Sequence, residues 1–534
     1  MADAVVIGAG PNGLVAANHL ADAGWSVLVL EAGPEPGGAV RTGEITVPGF
    51  RHDLFSAFYP LAKASPAIRR LALEDHGLRW RHFPLVLAHP LPDGRCASMA
   101  MDVDRTAGSL AEFAAGDGDA WREMIDAWAA VEDHFIDALL TPFPPLRHAG
   151  ALARRLGPAG SLRLARHALL PVRRMTEELF EGEGAGLLLG GSALHTDLSP
   201  EAAGSGLYGW FLSCVGQRFG FPVPEGGAGQ LAAAMVRRLE SRGGRVLCNS
   251  EVQKVVIRRG SAVGVEVAGA GHVDARRAVL ADVSAPTLYR RLVGAEHLPN
   301  AFLADLDRFQ WDTSTVKVDW ALSRPVPWTA PEAAQAGTVH VADDFNNFTE
   351  FAAHLAMGLL PSRPFLLFGQ QSRGDPTRSP AGSETAWAYT HVPRKLLGDA
   401  AGQLSVSDGR GDPDWLSGFV ERIENRVERL APGFRSTVLG RHVFAPRDMQ
   451  EADPNLDLGA IGGGTAQLHQ QLVFRPVPGA GRPETPIPGL YLASSSAHPG
   501  GGVHGAAGAN AARAALLPLR RARAVLMGGG RAGR

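Results

Sequence analysis

Residues 4–32, AVVIGAGPNGLVAANHLADAGWSVLVLEA, change hydrophobic period twice in one short stretch. Ala4–Ile7 is an unbroken apolar run, as expected of a strand buried on both faces. Leu14–Ala23 carries apolar residues at helical spacing, and Val27–Leu30 is a second apolar run. The pattern predicts strand, helix, strand, with Gly8, Gly10 and Gly13 in the first turn. From about Asp104 to Arg218 the periodicity is helical, with few strand signals. A helix opened by Gly226–Leu231 runs to about Ser241 and is followed by strand patterns at Arg245–Cys248, Val252–Arg258, Ala262–Val267 and Arg277–Ala281. Residues 312–323, DTSTVKVDWALS, predict another strand, and Asp414–Leu430 a helix. Near the end, the strand Gly489–Ser494 leads through the glycine-rich stretch 498–505 into a helix from about Ala506 to Leu516.

The glycine spacing at 8, 10 and 13 is that of a dinucleotide-binding turn. Glycines let the backbone turn tightly and approach a pyrophosphate, which then rests on the helix N-terminus. Glu31, eighteen positions after Gly13, ends the second strand, where a carboxylate accepts from ribose hydroxyls and repels a 2′-phosphate. The turn-rich Pro36–Thr42, followed by Val47–Phe50, is expected to fold back over this site. Five glycines between 500 and 508 precede a good helix former, so backbone N–H groups and a helix N-terminus face one target there too. Such a terminus stabilises the negative charge that a reduced flavin carries near N1 and O2.

Composition narrows the picture further. A chain of 534 residues suggests about two to four domains. The net charge of −2 argues against a general nucleic-acid binder. Cys96, Cys214 and Cys248 form no C-x-x-C, so neither a disulfide framework nor a metal site is indicated. Met1-Ala2-Asp3 has no basic leader character, and no apolar stretch reaches spanning length, so a cytoplasmic protein is expected. One segment stands apart. Residues 138–176 hold seven arginines and no acid, interleaved with Leu and Ala. It reads either as a cap helix pair with a solvated face or as a peripheral membrane contact delivering a lipophilic substrate.

GAGPNGL at 8–14, PGG at 36–38, PEGGAGQL at 224–231 and HPGGGVHGAAGANAA at 498–512 together resemble the phytoene-desaturase-like flavoprotein oxidoreductases, which share a fold with the amine oxidases. The resemblance implies an α/β architecture: a discontinuous Rossmann-type FAD-binding domain with an inserted α+β substrate domain made of a mixed sheet and a helical cap. The FAD-binding domain is expected at 1–100, 223–288 and 457–518, the helical cap at 101–222, the substrate sheet at 289–456 and a basic tail at 519–534. FAD is expected to bind non-covalently, since no cysteine lies near the last motif. Carried over residue by residue, Gly8, Ala9, Gly10, Gly13 and Leu14 would hold the pyrophosphate, and Glu31 with Ala32 the adenosine ribose. Gly37, Gly38 and Arg41 would lie along the diphosphate, Val252 would meet the adenine, and Ser494 with Gly501, Gly502 and Val503 would cradle the flavin. This chain departs from close relatives in placing Ala39, not Arg, directly after the paired glycines.

For the chemistry, His498 lies in the loop expected at the flavin and His195 in the helical insert where relatives line their tunnel. Lys317 alternates with Val316 and Val318 and so shares a face with Thr315 and Asp319. Related amine oxidases carry a strand lysine that holds a water at the flavin. No second G-x-G-x-x-G frames an NAD(P) domain, so oxygen or a quinone is the expected electron acceptor. The leading expectation is an FAD-dependent oxidase or desaturase of a hydrophobic, polyene or isoprenoid-like substrate. The alternatives are an amine-oxidase-like enzyme with Tyr491 and Trp311 as available aromatics, a redox-neutral double-bond isomerase, and a non-catalytic lipid-carrying protein. Oligomeric state stays open.

Overall fold

The computed structural model describes residues 1–406 and 414–517. Two seven-stranded sheets organise it. The first is built on the strand Ala2–Ile7, which runs parallel to Val27–Leu30 on one side and to Gly271–Ala281 on the other. Ala4 and Val6 face one hydrophobic cluster and Val5 and Ile7 another, so the unbroken apolar run reflects burial on both faces. Arg245–Leu247 extends the sheet beyond Val27–Leu30, and the antiparallel meander Val252–Arg258, Ser261–Val267 and Gly271–Ala281 forms the other end. The last strand, Leu490–Leu492, pairs in parallel with Val279–Ala281, bringing the end of the described chain beside its beginning.

The helix Pro11–Asp22 starts directly after Gly10 with proline in its first turn. Two helices flank it, Gly229–Ser241 and Ala506–Leu516. Gly508 lets the second approach closely, since a Cβ there would lie 1.9 Å from the Asn12 carbonyl oxygen.

The second sheet has the order Val438–Phe444, Ser314–Leu322, Glu384–Val392, Leu366–Gly369, Ala336–Val341, Leu85–Pro90, Cys96–Met99. Its last two strands come from the stretch expected at 1–100 in the FAD-binding domain. Leu85 and Leu87 instead pair with Ala336 and Thr338. The reason is a partner about 250 residues away, which the local pattern cannot display. One face of this sheet, with Val316, Val318 and Trp320, packs on the helix Asp414–Leu430 through Phe419, Ile423 and Val427. The other face looks towards the helical cap.

The cap comprises seven helices between Val103 and Phe219. Trp121, Trp128 and Trp210 anchor its core. Leu146–Leu169 is kinked at Gly157 and buries no residue of its own. Among the described residues no helix is long and apolar enough to cross a membrane. The expected basic tail, 519–534, lies outside the described residues.

Candidate active site and cofactor cradle

A single cavity of about 950 Å³ runs between the two sheets and the cap, at the upper end of the range for small-molecule sites. One end is the glycine turn after Ala2–Ile7. Close packing dictates glycine here: a Cβ on Gly8, which has φ +90°, would sit 2.8 Å from the Asp282 carbonyl oxygen, and one on Gly13 2.3 Å from that of Gly8. The PGG segment folds onto this turn. Gly37 N–H donates to the Ala9 carbonyl at 2.9 Å, and a Cβ on Gly38 would meet Gly10 Cα at 3.1 Å. Glu31 bridges the same loops, accepting from Ala9 N–H on Oε2 and from Gly33 N–H on Oε1, both at 2.8 Å.

The helix Pro11–Asp22 has no side-chain cap and no acid in its first turn. Apart from Gly13 N–H, its first-turn amides are therefore open to an anionic ligand. Asp282, at the end of the neighbouring strand, accepts from Gly13 N–H at 2.7 Å. Burial pushes its carboxyl up to about 7, against the lowering effect of that bond. Asn12 Oδ1 nearby is buried without a partner. This open, glycine-lined cradle fits the pyrophosphate of a dinucleotide.

The cavity continues past Gly38 and Arg41 to the C-terminal motif, where Gly501, Gly502, Val503 and His498 form its wall. Arg475 ties this region together. It is fully buried, and its guanidinium donates to the carbonyls of Gly462, Gly464, Thr465 and Ser495, at 2.7 Å to Ser495. No carboxylate among the described residues forms an ion pair with it.

Beyond the motif the cavity opens under the cap. Leu139, Leu140, Leu207, Phe211 and Leu212 give an apolar roof. Thr315, Lys317, Trp387, Tyr389, His391 and Thr338 line the floor, from the sheet face opposite the helix Asp414–Leu430. Lys317 is 1% exposed, so it is a buried lysine rather than a solvent-facing one. Its ammonium donates to the Asp53 carbonyl at 3.0 Å and to the Asp319 carboxylate. Asp53 in turn pairs with the buried Arg378, which also holds Asp375 at 3.1 Å. The Lys317–Asp319 pair carries little net charge, so Lys317 acts as a fixed donor more than as a free cation.

His498 donates through Nε2 to the Thr141 carbonyl at 2.9 Å, which leaves its buried Nδ1 without a partner. Burial lowers it to about 4, so it stays neutral at pH 7 with a free lone pair. His195 shares a bond between its Nε2 and the Nε2 of His340 at 3.0 Å, and burial lowers it to about 3.

Of the residues proposed for the cofactor, Gly8, Gly10, Glu31, Ala32, Gly38, Arg41, Val252, Gly501, Gly502 and Val503 border the cavity. Ala9, Gly13, Leu14, Gly37 and Ser494 stand behind that wall. Ser494 Oγ accepts from Ser496 N–H at 3.3 Å, and its neighbour Ser495 borders the cavity instead. Arg41 clamps the loop, donating to the carbonyls of Gly38 and Ala452. All three chemistry candidates, His195, Lys317 and His498, border the same cavity. No ring contact joins Tyr491 to Trp311 among the described residues; Tyr491 is buried in the first sheet and Trp311 packs on Phe309. Among the aromatics at the cavity, Trp387 and Tyr389 stack on the floor at 5.9 Å. Their signal was the alternation in Glu384–Val392, where Ala386, Ala388 and Val392 face the core. Asp282 was also missed, although it ends a parallel strand beside the glycine turn, where ligands bind in such sheets.

Comparisons with known proteins agree with this geometry. The family model described as flavin containing amine oxidoreductase matches residues 12–354, well over half of the chain. The rat protein "Pyridine nucleotide-disulfide oxidoreductase domain-containing protein 2" is 30% identical, over 97% of this chain and 94% of the relative. The neurosporene-forming phytoene desaturase of Rhodobacter capsulatus is 26% identical, over 97% of this chain and 94% of the relative. Cyclohexylamine oxidase from Brevibacterium oxydans shares the fold, with a TM-score of 0.58 and 16% identity over 98% of this chain and 99% of its own. This is an FAD-dependent oxidoreductase with a Rossmann-type FAD-binding domain and a substrate domain, and the chain belongs to the flavin containing amine oxidoreductase family.

Proposed function

We propose that this enzyme is an oxidase or desaturase that removes hydrogen from a hydrophobic, polyene or isoprenoid-like substrate, with oxygen or a quinone as the final acceptor. The observation that carries this reading is the chamber roof. Leu139, Leu140, Leu207, Phe211 and Leu212 offer apolar surface on the same cavity as the glycine turn. Burying apolar substrate surface there releases about 25 cal/mol per Å². The relatives named phytoene desaturase support the same substrate class. Bound FAD supplies the hydride acceptor. Gly8, Gly10, Gly38 and Glu31 would hold its adenosine and pyrophosphate, and Gly501–Val503 its ring.

The chain's own residues bind and orient the substrate. His498, neutral with a free Nδ1 lone pair, can take a proton, although burial makes it a weak base. Lys317, held by Asp53 and Asp319, fixes a donor on the floor. His195, joined to His340, shapes the far wall.

Substrate delivery is proposed to involve 138–176. Leu146, Leu162 and Leu169 are 77%, 73% and 58% exposed. Arg166 and Arg174 pair with Glu178, and Arg173 with Glu201, leaving Arg147, Arg154, Arg155 and Arg163 for an anionic lipid surface. The preceding helix, Glu132–Leu140, forms part of the cavity wall. Flotation with anionic vesicles tests this: the protein should co-float, and salt should release it.

An amine substrate is the second reading, favoured by Trp387 and Tyr389 beside Lys317. Anaerobic titration of the yellow holoprotein separates the two. Bleaching by polyenes but not by alkylamines is expected; bleaching by amines alone would overturn the leading reading, and a product of unchanged mass would indicate an isomerase.

A further inference from the structure

The chamber has two unlike sides. Its roof is aliphatic and aromatic, whereas its floor is the polar face of a sheet. On that floor His391 is 3% exposed. Its Nδ1 lies 3.4 Å from Thr315 Oγ1, and its Nε2 has no hydrogen-bond partner. Thr338 Oγ1, also on the floor and buried, has none either. Unpaired buried polar atoms are costly, so they point to a ligand that completes them. Of the neighbouring polar groups, Lys317 is engaged by Asp53 and Asp319 and His195 by His340, while Trp387 Nε1 is buried and unpaired like His391 Nε2.

Charge selects the kind of group. Burial lowers His391 to about 4, so at pH 7 it is a neutral imidazole able to donate or accept one bond at Nε2. It offers no counter-charge to a carboxylate or an ammonium. A hydroxyl or carbonyl oxygen suits it, and a pure hydrocarbon leaves it unsatisfied.

Resting on the hydrophobic-substrate reading above, we propose that His391 is a specificity-determining residue that hydrogen-bonds a neutral oxygen function, hydroxyl or carbonyl, on an otherwise apolar substrate. The apolar body lies under Leu207, Phe211 and Leu212, and the oxygen lies against the sheet floor. The substrate class is thereby an oxygenated isoprenoid-like lipid rather than a hydrocarbon.

The test uses the FAD-loaded full chain and three probes of matched length: farnesol, farnesal and farnesene. Binding is read from perturbation of the flavin absorbance under anaerobic conditions, independently of turnover. Wild type should bind farnesol or farnesal at least about tenfold more tightly than farnesene, the worth of one buried hydrogen bond. His391→Phe should reduce that preference to within about twofold, and His391→Gln should restore part of it. Equal binding of the three probes by wild type overturns the proposal without needing any variant. So does a folded, yellow His391→Phe that keeps the preference. If none of the probes binds, the hydrophobic-substrate reading fails along with it.

Discussion

Asp282 shows how much one residue can depend on its surroundings. Its carboxyl is buried against the glycine turn and raised to about 7 from an ordinary value of 3.8. Between those values the unfolded chain is ionised while the folded one keeps its proton. The folded state thus binds more protons, and stability falls as pH rises through that window. Asp282→Asn removes this dependence. Relative to wild type, the apoprotein variant should gain roughly 2–4 kcal/mol at pH 8 compared with pH 4. Denaturant unfolding at the two pH values measures it, and equal pH profiles would refute the assignment. Glu31 is the counterpart that could be read from sequence, because it ends a strand at a set distance from the glycines. Glu31→Ala should yield largely colourless protein after purification. Full FAD occupancy in that variant would show that the ribose contact is wrongly placed.

At the scale of elements, two segments depend on single residues for their placement. Arg475 fastens 462–465 to the loop at Ser495 through carbonyls alone. Arg475→Met leaves several buried carbonyls unpaired and should cost roughly 3 kcal/mol or more in stability, with weakened FAD retention. A melting temperature within a degree of wild type would contradict the clamp. Gly508 is the contact point of Ala506–Leu516 with the helix Pro11–Asp22. Gly508→Val should undock that helix, seen as increased hydrogen exchange across 506–516. Elements whose identity is local were legible: Val252–Arg258, Asp414–Leu430 and Ala506–Leu516 match the expected bounds, since their periodicity and flanking turns are short-range. Leu85–Pro90 was not: it forms a hairpin with Cys96–Met99, and that hairpin belongs to the second sheet through pairing with Ala336–Val339 about 250 residues away.

Across the whole molecule, the cavity is lined from near both ends of the described chain, from Ile7 to His504, so ligand binding and global stability are linked. FAD that binds only the folded state at a concentration about 100 times its Kd adds about 2.7 kcal/mol. The holoprotein should therefore melt several degrees above the apoprotein, by an amount that grows with added FAD. A melting temperature insensitive to FAD would argue against a cofactor bridging both ends.

The local pattern by itself determined the nucleotide cradle: strand, glycine turn, helix and acid lie within 30 residues, so their relative placement follows from backbone geometry. It also placed Lys317 on one face with Asp319, because strand alternation is strict. Only the tertiary structure decided that Lys317 is paired with Asp319 within a buried network, that Asp282 closes the turn, and that His391, Trp387 and Tyr389 form a floor beneath the cap. Each of these depends on strands or loops separated by tens to hundreds of residues, and burial, which sets their charge and pairing, exists only once those segments meet.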